Sequence, residues 1–289
     1  MLLPLSRAIV PDLDWRESCA STNTELVARA GSSSDLAVIA TDVQTAGRGR
    51  LGRVWSAPSG TALAVSVLVR HDGGHATSAL VPTPALDPTS ALAPTPTSAL
   101  APTLDPTSIP DPRRLGWLPL IAGVAMTRAV QSLGVERAGL KWPNDVLVDD
   151  RKLSGILTEL TSVGVVIGAG LNLSMTHADL PVPTATSLAM EGVQVGESLT
   201  DRALAAYLSE LLPLVARWRA AELELLPSIV VPHLQTIGRA VRVERPGLPA
   251  TLGTAVRLDD DGRLIVQPSA QGSTLIAVAA GDVTHLRYE

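Results

Sequence analysis

Apolar and polar positions alternate along the chain with periods that change from segment to segment. Residues 21–30, STNTELVARA, carry apolar side chains at helical spacing behind a polar start. Ser21 or Thr22 is the expected N-cap, Glu25 stands three residues after Thr22 in capping-box spacing, and Gly31 closes the element. LAVIATD (36–42) and TALAVSVLVR (61–70) are aliphatic, β-branched runs bounded by Gly, Ser and Pro, which predicts strands buried on one or both faces. The stretch between them is therefore a loop. LGWLPLIAGVAMTRAVQSL (115–133) returns to helical spacing, with Pro119 in its first turn and Gly134 at its end. The short strand-like runs AGLKW, DVLVDD and KLSGILTEL follow, then GVVIGAGLNL. VDDRK between the second and third reads as a tight hairpin turn that makes Lys152 the start of a strand. A second amphipathic helix is expected over 200–227, kinked or broken at Pro213. From about His233, strand-sized pieces alternate with Gly and Asp turns, the pattern of a small all-β barrel.

Residues 71 to about 113 follow neither period. PTSALAPT occurs in tandem at 88–95 and 96–103, and LDPTS occurs at 86–90 and 104–108. Proline every few residues and no aromatic anchor predict a disordered or polyproline-like surface insertion; a proline-rich docking ligand is the alternative reading.

Composition narrows the partners. With 289 residues, 46% of them hydrophobic, the chain can build one substantial core and a small second domain. A net charge of -5 offers no electrostatic reason for a nucleic-acid or membrane partner. Cys19 is the only cysteine, which excludes an intramolecular disulfide and a CxxC metal site, and the five histidines form no HExxH pair. No apolar run reaches the roughly 18 residues of a membrane span, and the start of the chain is broken by Pro4 and Arg7, so a cytoplasmic location is expected.

Three groups carry candidate chemistry. In Gly47-Arg48-Gly49-Arg50-Leu51-Gly52-Arg53, glycines let the backbone approach a ligand while arginines supply fixed positive charge, which suits phosphate or carboxylate; a solvated surface loop is the plainer reading. KWPND (141–145) followed by DRKLSGIL places Lys141, Asn144, Asp145 and Lys152 on consecutive short strands, where a surface ion pair is the plainer reading. GAGLN (168–172) runs a strand into glycines and an Asn that could simply close a turn.

Taken in order, STNTEL, QTAGRGRLGRVW, KWPNDVLVDDRKLSGILTEL and GAGLN resemble the motifs of biotin-protein ligases, which adenylate biotin with ATP and attach it to a lysine of a biotin carboxyl carrier domain. The resemblance spans roughly residues 20–230 and is of the monofunctional type, since the first motif leaves no room for an N-terminal DNA-binding domain. It implies an α+β fold: a class II synthetase-like catalytic domain over 1–232 with a mixed sheet and flanking helices, and an SH3-like barrel over 233–289. It implies that Ser21, Thr22, Asn23 and Gln44 line the biotin end. It also implies that Arg48, Gly49 and Arg50 belong to a loop that orders over biotinyl-AMP, with Arg53 assisting at phosphate and Trp55 packing beside the nucleotide. By the same resemblance Lys152 bonds the biotin carboxyl and α-phosphate, and Lys141, Asn144, Asp145 and Asn172 lie near ATP, metal and the nucleophile. Arg50, Lys141, Asp145 and Lys152 are the expected catalytic group. Mg²⁺ is expected with ATP, near Asp145 or Asn172, rather than in an intrinsic metal site. A monomer or weak homodimer is expected. A lipoate-protein ligase-like transferase and a non-catalytic biotin or nucleotide sensor are the alternatives; a sensor has no need of both Arg50 and Lys152 to stabilise a transition state.

Overall fold

The computed structural model describes residues 1–71, 112–220, 222–245, 247–270, 272–279 and 282–285; the expected insertion falls almost wholly outside them. Its centre is a seven-stranded mixed sheet of order β1-β2-β5-β9-β8-β7-β6. These strands are β1 (Asp14–Trp15), β2 (Val38–Thr41), β5 (Ala62–Arg70), β6 (Ala138–Lys141), β7 (Asp145–Val148), β8 (Arg151–Leu160) and β9 (Gly164–Asn172). β1 runs parallel to β2 and every other neighbouring pair is antiparallel. The stretch expected to be plain loop between β2 and β5 carries a hairpin of its own, β3 (Gly47–Arg48) with β4 (Val54–Trp55). The expected turn at VDDRK is there: Asp149 and Asp150 both take positive φ, 48° and 61°, as a two-residue hairpin with the strand's own twist requires.

Helices cover the sheet. α1 (Pro4–Ile9) is short, α2 (Thr22–Arg29) faces β5 and β9, α3 (Pro112–Leu115) leads into α4 (Leu118–Ser132), and α5 (Leu199–Arg219) lies along α4. Small and aliphatic residues let α4 bury almost its whole length, with Leu120, Ile121, Val124 and Ala125 at or below 1% exposure. Ser21 is the N-cap of α2 and accepts the Thr24 N–H at 3.4 Å; Glu25 turns instead toward Arg16, so no capping box forms. The helix expected over 200–227 does not break at Pro213 and stops at Arg219, with α6 (Leu226–Val230) separate. Tertiary anchoring decides this: Trp218 is buried with its indole N–H on the Arg114 carbonyl at 2.8 Å, and the Arg219 guanidinium closes on Asp35. Asp201 in turn accepts the free Leu5 and Ser6 N–H groups of α1, each at 2.9 Å, tying the start of the chain to α5. No helix among the described residues is long and apolar enough to cross a membrane.

The C-terminal strands β10 (Ala240–Glu244), β11 (Thr251–Leu258), β12 (Leu264–Pro268), β13 (Ile276–Val278) and β14 (Asp282–His285) form an antiparallel sheet of order β13-β12-β11-β10-β14. Its buried residues Val241, Val243, Ala255 and Val266 join the same apolar core as α4 and the large sheet. Two tryptophans fix the junction. The Trp117 indole N–H donates to the Asp260 carbonyl at 2.9 Å and that of Trp142 to the Gly262 carbonyl at 3.1 Å, giving each buried donor a partner.

A third tie is polar. Arg239 donates to Asp150 at 2.7 Å and to His285 Nδ1 at 3.2 Å, so the neutral ring keeps its hydrogen on Nε2, 3.1 Å from the Thr236 hydroxyl. Burial first, and the Arg239 guanidinium second, push the His285 imidazole down to about 4. A depressed histidine takes its proton more readily when unfolded, so its contribution is complete above the ordinary value near 6.5 and drains away as pH falls toward 4. The melting temperature of the wild type should therefore drop more between pH 7 and 4 than that of His285→Gln; equal drops in calorimetry would refute this assignment.

Candidate active site

Three adjoining chambers of about 30, 120 and 520 Å³ run along the face of β8. Gly155 and Leu157 floor the trough, and Glu159, the next residue on that face, lies beyond its lining.

The narrow chamber is lined by Ser21, Thr22, Asn23, Gln44, Arg48 and Trp55, so the sheet gathers all four polar residues expected at the neutral ligand end. Ser21, Thr22 and Asn23 are 3–4% exposed, polar groups that must find partners. The Thr22 N–H donates to Gln44 Oε1 at 2.8 Å; Asn23 Nδ2 donates to Glu159 Oε2 at 2.9 Å and to the Leu157 carbonyl at 3.2 Å. Ser66 Oγ lies 2.6 Å from Asn23 Oδ1 and 2.8 Å from Thr22 Oγ1. The glycines of GAGLN explain themselves here: a Cβ at Gly168 would lie 2.1 Å from Asn23 Oδ1, and one at Gly170 2.7 Å from the Trp55 ring. They keep the floor flat so that a side chain from α2 and an indole from β4 can lie on it.

Charge concentrates in the middle chamber. Arg48, Gly49, Arg50, Arg53 and Trp55 of the β3–β4 hairpin meet Asn144, Asp145 and Lys152 of the β6–β8 meander. Lys152 Nζ lies 2.6 Å from Asp145 Oδ1 and 5.9 Å from the centre of the Trp55 ring, while Lys141 Nζ is 4.0 Å from Asp145 Oδ2. Arg50 donates to Asn144 Oδ1 at 2.9 Å, and the Asn144 amide is itself pinned by donating to the Ile156 carbonyl at 2.8 Å. Arg48 pairs with Glu159 Oε1 at 2.9 Å. Four cationic side chains thus face a space lined by one carboxylate, suited to an anion.

The wide chamber opens between the two sheets, from Arg50, Trp142 and Asn144 across to Asp261, Gly262 and Arg263 of the β11–β12 turn. Lys141 lines a separate cavity of about 340 Å³ behind Lys152 and Asp145. Asn172 stands apart from the cluster. It is buried, lines none of the three chambers, and donates to the Thr186 carbonyl at 2.8 Å, holding the segment after β9 in place. Two polar residues of the site, Ser66 and Glu159, are absent from the sequence reading. Ser66 had a signal, as the only polar residue within the apolar part of β5; Glu159 had only its alternation with Gly155 and Leu157.

Both oxygens of Asp145 face lysine ammonium groups, and among the described residues no three His, Cys, Asp or Glu side chains converge on a point.

Comparison with known proteins bears on this trough. The profile of the biotin/lipoate A/B protein ligase family matches residues 15–87 and 110–172, breaking off inside the proline-rich stretch, and that of the biotin protein ligase C-terminal domain matches 236–286. The chain is 36% identical over 280 residues to the biotin--[acetyl-CoA-carboxylase] ligase of Mycobacterium tuberculosis, covering 95% of this chain and 89% of that one. It is 29% identical over 262 residues to the enzyme of that name from Paracoccus denitrificans, covering 86% and 92%. Among solved structures, the biotin protein ligase of Aquifex aeolicus in complex with biotin and ATP superposes with a TM-score of 0.69 at 21% identity, over 96% of this chain and 99% of that one.

Proposed function

This chain belongs to the biotin/lipoate A/B protein ligase family, and from that premise we infer that it is an ATP-dependent ligase that adenylates biotin and transfers it to a lysine of a carboxylase's biotin carboxyl carrier domain. One observation carries the chemical part: Arg48, Arg50, Arg53 and Lys152 share a chamber that joins a neutral, hydrogen-bonding pocket to a wider cleft.

The narrow and middle chambers take different parts of the reaction. Ser21, Thr22, Asn23 and Gln44 hold the ureido and thiophene portion of biotin, whose N–H and C=O groups need acceptors and donors together. Lys152 holds the biotin carboxyl against the α-phosphate, with Arg48 and Arg50 closing over both, Arg53 assisting and Trp55 beside the nucleotide. In the first step a carboxylate oxygen attacks the α-phosphorus, the bond to the β-phosphate breaks, and pyrophosphate leaves with its electron pair. Anions must crowd together for this, so fixed cations lower the barrier. Magnesium arrives on the ATP phosphates as part of the co-substrate, and no protein residue is assigned to it. In the second step the carrier lysine nitrogen attacks the acyl carbon, the bond to AMP breaks, and the amine gives up a proton.

Asp145 is the acid nearest that step, and we assign it the proton or the orientation of the amine. Asp145→Asn should slow transfer from preformed biotinyl-AMP by about 10²-fold or more, the usual scale for a positioned acid–base group. Full transfer by this variant would remove Asp145 from the role. Lys141 supports the Asp145 carboxylate, Asn144 holds Arg50, and Asn172 acts at a distance by fixing the segment that hydrogen-bonds Lys152 on both sides.

The fold reading follows the same premise. We take residues 1–232 as a class II synthetase-like catalytic domain and 233–289 as an SH3-like barrel, a reading supported by the antiparallel strand order and by the match over 236–286. The decisive assay offers the full chain ATP, a carrier domain and either labelled biotin or labelled lipoate. Transfer of biotin alone is expected; transfer of lipoate in its place, or of neither, would overturn the reading.

A further inference from the structure

Glu159 is an acid beside the site to which the reaction gives no task. It is on β8, on the same face as Gly155 and Leu157, with its side chain 22% exposed, and its two oxygens serve two different parts of the site. Oε2 accepts from Asn23 Nδ2 at 2.9 Å, on the floor of the narrow chamber; Oε1 holds Arg48 Nη1 at 2.9 Å, on the hairpin that closes the middle one. The Arg48 side chain is 54% exposed, and Glu159 is its ion-pair partner.

Glu159, together with the Leu157 carbonyl, also sets the direction of the hydrogen bonds at Asn23. A carboxylate only accepts, so Asn23 spends its two amide hydrogens on Glu159 and on the Leu157 carbonyl, and must present Oδ1 to Ser66. The Ser66 hydroxyl faces that oxygen at 2.6 Å and Thr22 Oγ1 at 2.8 Å, while the Thr22 hydroxyl donates to Gln44 Oε1 at 3.3 Å. Thr22 Oγ1 is then an acceptor toward the chamber. Because the Thr22 N–H takes Gln44 Oε1 at 2.8 Å, the Gln44 Nε2 group is turned outward as a donor. Glu159 and the Leu157 carbonyl thereby fix the Asn23 side of the pocket and the Thr22 N–H fixes the Gln44 side, so that donors and acceptors are set apart for a neutral ligand that carries both.

We propose that Glu159 is a positioning residue that couples biotin recognition to the arginine hairpin: the same carboxylate that anchors the Asn23 amide keeps Arg48 poised at the mouth of the biotin chamber. This rests on the biotin-ligase reading and adds a residue to it. Glu159→Gln keeps an oxygen for Asn23 but turns an N–H₂ toward Arg48; Glu159→Ala removes both legs.

The test uses the full chain. Glu159→Gln should raise KM for biotin about tenfold, equivalent to about 1.4 kcal/mol, while KM for ATP stays within about twofold and the melting temperature is unchanged. Glu159→Ala should raise KM for biotin further. Adding Glu159→Gln to Arg48→Gln should worsen KM for biotin by much less than tenfold, since the shared contact is already gone. A readout that needs no biotin is limited trypsin digestion of the free protein: cleavage after Arg48, Arg50 and Arg53 should be faster in both Glu159 variants. An unchanged KM for biotin, or parallel rises in both KM values with a lower melting temperature, would overturn the coupling. A wild type that transfers no biotin overturns the functional reading and the recognition role together, while the digestion rate still decides whether Glu159 holds the hairpin.

Discussion

Arg50→Gly should release biotinyl-AMP into solution. Arg50 joins the β3–β4 hairpin to the β6–β7 turn through Asn144, which is fixed by its own bonds to and from Ile156. Glycine removes that tie and the positive charge at once, and loosens a hairpin that already contains Gly49 and Gly52. A hydrogen bond to a charged group is worth about 1.5 to 3 kcal/mol, so the adenylate should dissociate roughly 10- to 100-fold faster. The first step depends less on a closed lid than retention does, so adenylate formation should persist. The measurement is free biotinyl-AMP trapped by non-enzymatic labelling of a bystander lysine-rich protein, with wild type alongside. Tight retention of the adenylate by Arg50→Gly would show that the hairpin is not the lid.

Lys152→Ala should fail one step earlier. Its ammonium is 2.6 Å from Asp145 and faces the same chamber as Arg48 and Arg50. Removing a donor aimed at charge that develops in the transition state costs about 10² to 10³ in rate, or about 2.7 to 4 kcal/mol. Here a second penalty adds to it, because Asp145 would keep only Lys141, at 4.0 Å, and would turn an unbalanced negative charge toward the incoming phosphates. Pyrophosphate release on mixing with biotin and ATP should drop by about 10³ or more, while transfer from supplied biotinyl-AMP drops less. Equal losses in both steps would move Lys152 from phosphate chemistry to general architecture.

The two variants separate because the trough is built from elements of different rigidity. Lys152 sits in a ten-residue strand hydrogen-bonded on both edges, with its N–H on the Thr184 carbonyl at 2.7 Å and its carbonyl accepting the Thr186 N–H at 2.9 Å. Arg50 sits on a two-stranded hairpin whose tip includes Leu51 in the left-handed region at φ 56° and 60% exposed. Strong backbone support suits a group that must meet a transition state; sparse support suits one that must open and close.

The amino-acid sequence by itself determined the elements and the chemistry they carry. Helical spacing located α2 and α4, and short aliphatic runs between turn residues located the meander β6–β9, whose strands β7 and β9 are buried on both faces. Two adjacent aspartates before Arg151 announced the hairpin that starts β8, and the ordered motifs around Arg48, Lys141, Lys152 and Asn172 pointed to biotin and ATP. The tertiary structure alone decided the rest. Glu159 reaches Asn23 across 136 positions of sequence and Ser66 reaches it across 43, contacts that exist only through the pairing of β5, β9 and β8. The continuity of α5 through Pro213, the seating of Trp117 and Trp142 against the C-terminal sheet, and the turning of Asn172 away from the trough are likewise choices of packing. Local patterns record which face of an element is buried; which side chains then meet is set by strand register, and a register is a property of two segments at once.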